Sequence, residues 1–333
     1  MNWESLSSIG FSDVIPHFVW VVALAILIDL WIGDPRWLPH PVVGMGKLIS
    51  FLEQRWNKGS QRKRKGVVMA VFVIGTVYTS TFVTIWAAHQ LNVYAGIGLE
   101  IYLLSTTISV KGLKDAALQV AAPLKTGNLV EARRQLGMIV GRDTEALNEP
   151  EIIRGTVETV AENTVDGITS PLFWMLVGGV PAAMAYRAVN TLDSMVGYKN
   201  ERFLLFGRAS ARIDDAANWL PARLTALSMW IAAWFMPGLS VRTAMRITLL
   251  DAPKHPSPNS GWPESMTAGL LGIELGGRNS YQGVISERAR MGRPTRELQC
   301  SDIRYSITIM HGGWLVFIAI TGVITWFIQN HFI

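Results

Sequence analysis

Three carboxylates in the run GTVETVAENTVDG, Glu158, Glu162 and Asp166, follow one another at intervals of four residues. On an α-helix that spacing puts them on one face, where like charges repel unless a cation or an arginine compensates them. Hard oxygen ligands of this kind suit Mg²⁺, which also takes oxygens from a substrate phosphate. A solvated acidic face is the other reading of the same spacing.

A second block, RAVNTLDSMVGYKN, sets Arg187, Asn190 and Ser194 at i, i+3 and i+7 with Asp193 beside them, and Gly197 lets the chain turn toward Lys199. In FGRASARIDDAANWLPARLT, Arg208, Arg212 and Asp215 share a helical face, as do Asp214 and Asn218. An acidic pair beside Arg and Asn fits an ATP–Mg²⁺ or phosphate site, or an Arg–Asp network that only locks helices together. The third block is DAPKHPSPNSGWPESMTAGLLGIELGG. Its Pro253, Pro256, Pro258 and Pro263 argue against a regular helix, so residues 251–264 are expected to form an ordered loop or lid. Lys254, His255, Ser257 and Asn259 offer donors suited to phosphate or an amide. Gly269, Gly272, Gly276 and Gly277 are spaced for close helix approach. Near the N-terminus, Asp29 falls inside an apolar run, followed by Asp34, Arg36 and His40. An ionisable residue in such a run is a functional candidate.

These groups need elements to hold them, and the composition says which. Half of the 333 residues are hydrophobic and only 17% are charged, against about 25% in soluble domains. The chain is therefore read as an all-α polytopic integral membrane protein, a single membrane-embedded domain over 1–333. Apolar stretches at 14–32, 67–88, 91–110 and 312–328 fit the ~20 residues a bilayer requires. Glu100 interrupts the third of them. Trp20, Trp31, Trp86, Trp314 and Trp326 lie near their ends, as interfacial rings do. Two further stretches, 168–189 with Gly178-Gly179 and Pro181, and 220–236 running into Pro237-Gly238, read as re-entrant or buried hairpins.

Orientation follows from the basic run RWNKGSQRKRKG, which precedes the second span, and from the acidic tail 1–13, which lacks Lys and Arg. The tail is then outside and the first loop cytoplasmic. Parity leaves the polar regions, approximately 33–66, 111–167, 190–219 and 251–311, on the cytoplasmic face. The basic run is read as a topological signal, with no nucleic-acid partner, and no signal peptide is expected.

Residues 111–167 carry helical stripes (Leu113, Ala117, Val120, Leu124; then Leu129, Ala132, Leu136). Asn128 with Glu131 suggests a capping box, and Pro150 the first turn of a third helix reaching about Val165. No substantial sheet is expected. The chain has no Walker A motif, no Cys/His zinc cluster and no G-x-S-x-G elbow, and Cys300 stands alone.

Taken together, DLWIGDP with LPHPV, GRDT, ETVAENTVDGITSPLFW, RAVNTLDSMVGYKN, FGRASARIDDAANWLPARLT and DAPKHPSPNSGWPE with LGG resemble the CobD/CbiB family of cobalamin biosynthesis, the adenosylcobinamide-phosphate synthases. The resemblance spans residues 29 to 277. It implies a multi-pass enzyme of the inner membrane with a cytoplasmic active face. Such an enzyme joins a carboxylate of adenosylcobyric acid, a corrinoid, to (R)-1-aminopropan-2-ol phosphate or the free amino alcohol, with ATP as co-substrate and Mg²⁺ as cofactor. Membrane lipid and other enzymes of the pathway are the remaining partners it suggests. On that reading Glu158, Glu162 and Asp166 hold Mg²⁺ or orient the amine, and His255 accepts a proton from it. Asp193, Asp214 and Asp215 hold a cation or the ATP phosphates. Arg187, Asn190, Lys199, Arg212, Lys254, Ser257 and Asn259 bind substrate or phosphate. A non-catalytic AmpE-like membrane regulator and a Mg²⁺-dependent membrane prenyltransferase are the other readings.

Overall fold

The computed structural model describes residues 11–35, 38–281 and 283–332. Most of the acidic tail and Arg36 lie outside the described residues, as does the side chain of Trp326. Among the described residues the protein is all-α apart from one small hairpin, and four helical runs are long and apolar enough to cross a membrane: Arg62–Leu91, Val93–Lys125, Glu149–Val196 and Ser301–Ile324. His17–Trp31 is a shorter apolar helix. Contacts group the chain into two compact units: Met1–Ser109 with Ser170–Ala217 and Phe327–Ile333, and Val110–Thr169 with Asn218–Trp326.

The first unit contains α1 (Phe11–Trp31), α2 (Pro41–Trp56), α3 (Arg62–Leu91), α4 (Val93–Ser105), α8 (Ser170–Val196) and α9 (Arg208–Ala217). On α3 a single stripe is buried, Gly66, Met69, Ala70, Val73, Val77, Thr81 and Ile85. The opposite face exposes Val68, Val71, Phe72, Phe82 and Trp86. A helix apolar all round yet buried on one side only is what a lipid-facing span requires. At Gly66 the backbone carbonyl of Phe206 would sit 1.9 Å from any added Cβ, so only glycine permits that approach. Asn92, in extended conformation, ends α3 and caps α4 by accepting from Tyr94 N and Ala95 N. Glu100 of α4 is tied to His17 Nε2 at 2.6 Å and His89 Nε2 at 3.2 Å, so the charge that interrupts this apolar stretch is not left alone. The expected break in 168–189 is present within α8: Gly178 and Gly179 leave helical geometry, Gly179 at φ 69°.

The second unit contains α5 (Val110–Lys125), α6 (Leu129–Gly137), α7 (Glu149–Thr164), a π turn (Val165–Thr169), α10 (Trp219–Ala233), α11 (Val241–Asp251), a 3₁₀ turn (Ala252–Lys254), α12 (Gly261–Leu271), β1 (Leu275–Tyr281), β2 (Val284–Met291) and α13 (Ser301–Phe332). α7 starts with a full capping box: Asn148 Oδ1 accepts from Glu151 N, and the Glu151 carboxylate accepts from Asn148 N. At α6 the cap is one-sided. Asn128 accepts from Glu131 N, while the Glu131 carboxylate turns to Arg134 and Gln135.

Three expectations change here. Residues 251–264 are not one long loop, because Pro253 and Pro263 each sit in the first turn of a short helix, where proline is tolerated. Only 255–260 is irregular, and Glu264 belongs to α12. The stretch 220–236 holds an uninterrupted 15-residue helix, about 22 Å at 1.5 Å per residue; Pro237-Gly238 follows it instead of breaking it. Gly276 and Gly277 belong to β1 at positive φ, where the register shifts between Leu275 and Gly277; of the four glycines, Gly269 makes the close helix approach, to Ala244.

Because the Asn148 cap fixes the start of the helix that carries Glu158, Asn148→Ala should cost about 1 kcal/mol. Thermal unfolding of the purified protein in detergent measures this.

Candidate functional site

Glu158, the first carboxylate of the stripe, is 2% exposed and both its oxygens are engaged. Oε2 accepts from Arg142 Nη2 at 2.5 Å and Oε1 from the backbone N–H of Gly276 at 2.7 Å. Arg154 Nε lies 4.0 Å from Oε1. Arg142 Nη1 also donates to Asn279 Oδ1 at 2.7 Å, and Arg154 donates to the carbonyls of Gly276 and Arg278. Asp143 finishes the connection: its N–H donates to Ser280 O, and its Oδ2 accepts from Ser280 Oγ at 2.6 Å and Gly283 N at 2.8 Å. The β-hairpin is thus held against α7 by charged side chains from the loop that precedes the helix.

Glu162, one turn on, is half-buried and accepts from Ser260 Oγ at 2.8 Å. Asp166 falls in the π turn, where the four-residue periodicity that aligned it with Glu162 no longer holds. The segment 255–260 folds on its own polar groups. Ser257 Oγ accepts from Asn259 N and Ser260 N and donates to Ser260 Oγ, and Ser257 N donates to His255 Nδ1 at 3.0 Å. The same Nδ1 lies 3.2 Å from Ser257 O, so whether it donates or accepts depends on the tautomer. Burial pushes the His255 pKa down, keeping the ring neutral. Lys254 Nζ donates to Asp251 Oδ1 at 2.6 Å, and Asp251, fully buried, also accepts from Arg293 Nη1 and Gly292 N.

Sequence reasoning gave no role to Glu264, which occupies the centre of this group. It is fully buried, neither carboxylate oxygen has a hydrogen-bond partner, and His255 Nε2 lies 3.9 Å from Oε2. Burial, with the charges of Glu158 and Glu162, drives its pKa well above the ordinary carboxylate range, against the opposing pull of Arg288 and Arg142. Burial works against the Arg288 charge, but Tyr281, Glu264, Glu162 and Glu158 outweigh it, so its pKa is raised. Arg142, inside GRDT, and Glu264, inside NSGWPE, lie in stretches that carried the family resemblance. Neither spacing nor periodicity marked them, because their partners lie on other elements: Glu158 and Asn279 for Arg142, and Glu158, Glu162 and Arg288 around Glu264.

The other expected residues lie in the first unit. Arg187 Nη1 donates to Asn190 Oδ1 at a long 3.4 Å. Gly197 N donates to Asp193 O at 2.7 Å, and the Asp193 carboxylate lies where a Gly197 Cβ would stand. Asp214 and Asp215 are half-buried on α9, while Lys199 and Arg212 are exposed. Burial raises the Asp215 pKa, and Arg212 and Lys199 oppose that rise. Among the described residues, no three His, Cys, Asp or Glu side chains are grouped so as to hold a metal ion by themselves. A Mg²⁺ bound by one or two carboxylates would need substrate phosphate and water to complete its shell.

Arg142→Ala would leave Glu158 buried without its cation, so a loss of about 3–5 kcal/mol is expected on thermal unfolding. Glu264 gives a pH signature. In the unfolded chain it ionises near its ordinary 4.5, in the folded protein only at much higher pH. Its contribution to stability is therefore complete below the unfolded value and is lost as pH rises through the folded one. Glu264→Gln should flatten the decline in melting temperature above about pH 5; parallel curves for variant and wild type would show that the acid is not held protonated.

With this geometry in place, comparison with known proteins places the chain. The CobD/CbiB protein family model matches residues 22–310. A cobalamin biosynthesis protein CobD from Halalkalibacterium halodurans is 50% identical over 92% of this chain and 97% of its own length. A CobD from Geobacter metallireducens is 47% identical over 92% and 96%. A cobalamin biosynthesis protein CbiB from Salmonella paratyphi B is 44% identical over 86% and 91%. No solved structure matches. The matched span takes in Arg142, Glu158, Glu162 and Glu264 together with the first-unit acids, and on that breadth the chain belongs to the CobD/CbiB family.

Proposed function

We propose that this protein works in cobalamin biosynthesis as the membrane ligase that joins a corrinoid carboxylate to an amino alcohol, or its phosphate, at the expense of ATP. The observation that carries the reading is the buried Arg142–Glu158–Arg154 cluster with Glu162, Glu264, His255 and Arg288 around it. It lies in a chain whose relatives, similar over about nine-tenths of its length, are named for cobalamin biosynthesis.

A carboxylate is a poor electrophile. Transfer of the γ-phosphoryl group of ATP to a carboxylate oxygen makes an acyl phosphate and releases ADP. The amine nitrogen then attacks the acyl carbon, phosphate departs with the C–O electron pair, and the nitrogen gives up a proton. Arg187, Lys199 and Arg212 supply cationic donors for phosphate oxygens. Asp193, Asp214 and Asp215 supply hard oxygens for Mg²⁺, which would neutralise charge on the transferring phosphoryl group. Glu162 and Asp166 orient the amine, and His255 accepts the proton that the nitrogen gives up as it attacks. Lys254, Ser257 and Asn259 line the segment 255–260 and bind substrate. Around Glu162 and His255 the buried low-dielectric surroundings strengthen such contacts, and exclusion of water there would shield an acyl phosphate from hydrolysis. The polar regions lie on the cytoplasmic side of the inner membrane, where ATP is available, in keeping with the basic run before α3.

Purified protein in detergent, given adenosylcobyric acid, aminopropanol phosphate, Mg²⁺ and ATP, should raise the corrinoid mass by that of the amino alcohol phosphate less one water, with one ADP formed per amide. An unchanged corrinoid mass under these conditions, with either the phosphorylated or the free amino alcohol, refutes the ligase reading.

A further inference from the structure

Glu264 has no role in the chemistry derived so far, yet it is the most unusual side chain in the second unit. It is fully buried, both carboxyl oxygens lack a hydrogen-bond partner, and the Nε2 of His255, itself 8% exposed and unpartnered, faces it at 3.9 Å. A buried carboxyl without a partner costs several kcal/mol. Folding offers no reason to retain it, since an apolar residue of similar size would be cheaper. The groups facing it are Glu158 and Glu162 from α7, His255 from the segment before α12, Arg288 from β2 and Arg142 from the loop before α7.

The open acceptors around the site select the kind of ligand. Glu158 has both oxygens occupied and its charge is answered by Arg142 and Arg154. Glu162 and Glu264 remain, near the guanidinium groups of Arg288 and Arg142. The two unpartnered Glu264 oxygens call for N–H donors, and no three acidic or histidine side chains are grouped to hold a metal among the described residues. A primary ammonium carries one charge and three N–H donors. Acceptors for it are the two Glu264 oxygens and the half-buried carboxylate of Glu162.

We propose that Glu264 is the receptor for the ammonium group of the substrate and takes from that nitrogen the proton it must lose before it attacks an acyl carbon. The inference rests on the ligase reading and adds to it the residue that binds and deprotonates the amine. The protons balance. In the empty site Glu264 is a neutral acid. As R–NH₃⁺ enters, the acid proton leaves to solvent, so the ion pair formed has the same net charge as the acid it replaces. One N–H bond of the ammonium then breaks, its proton goes to a Glu264 oxygen, and the nitrogen keeps the electron pair. The products are R–NH₂, able to attack, and Glu264 again as the neutral acid. His255 stands beside the acid, its Nε2 3.9 Å from Glu264 Oε2.

The test compares two ligands on full-length protein in detergent: 1-aminopropan-2-ol O-phosphate and isopropyl phosphate, which has the same skeleton without the amine. A charge-assisted contact of about 1.5–3 kcal/mol predicts that wild type prefers the amino ligand by tenfold or more in Kd. Glu264→Gln should bring that ratio close to one while leaving the affinity for isopropyl phosphate unchanged, and Glu264→Asp should keep a preference. Melting curves show whether each variant is folded; if Glu264→Gln fails to fold, infrared difference spectra of wild type decide, because amine binding must alter a protonated carboxyl band. If wild type makes amide and Glu264→Gln keeps the full preference, the inference is overturned and the ligase reading stands. If wild type neither binds the amino ligand nor makes amide, both fall.

Discussion

A carboxylate withdrawn from water costs several kcal/mol unless a cation and hydrogen-bond donors replace its hydration. Glu158, in the middle of α7, meets that demand with the guanidinium of Arg142, the amide of Gly276 and the nearby charge of Arg154. None of these partners can shift without exposing another unsatisfied group. Arg142 also needs Asn279, and Arg154 needs the carbonyls of Gly276 and Arg278. The cluster therefore fixes the register of α7, the loop before it and the β-hairpin relative to one another. It also determines which residues stand one turn along the helix, where Glu162 faces the segment 255–260.

The hairpin is a small piece of β-structure in an otherwise helical protein, and the charge network explains its presence. Gly276 must bring its backbone N–H to a buried carboxylate, and a Cβ there would stand 2.2 Å from the Ala289 carbonyl across the hairpin. Positive φ at Gly276 and Gly277 forms the irregularity that turns the N–H inward. Asp143 then clamps the far end of the hairpin through Ser280 and Gly283. The strands carry few apolar residues, so their stability comes from this anchoring more than from a sheet core.

Much of the helical architecture was legible in the sequence because lipid imposes a simple rule on composition. A run of uncharged residues such as 67–88 has few alternatives to a span, and α3 covers it. The Gly178-Gly179 break was legible for the same reason, since two adjacent glycines let the backbone leave helical geometry. The proline-rich block misled the reading. Proline forbids a helix interior but suits a first turn, and the sequence does not show which position Pro263 holds until the helix boundary is known. The hairpin escaped because LGGRNSY and VISERARM lack the alternating apolar residues by which strands are recognised.

The candidate site divides along the same line. Side-chain type and helical spacing were enough to single out Glu158, Glu162, His255 and the acidic pair Asp214–Asp215, because charged residues are scarce in a chain of this composition and spacing along a helix is local information. The sequence by itself thus determined the helical membrane class, the family and three of the four candidate spans; Glu149–Val196 took the place expected for 14–32, which forms a shorter apolar helix. Only the tertiary structure decided that Glu158 is neutralised by Arg142 and that Glu264 is buried without a partner. The first contact joins a loop to a helix across 16 residues, and burial, which sets the cost of a charge, is a property of the packed protein and not of any segment.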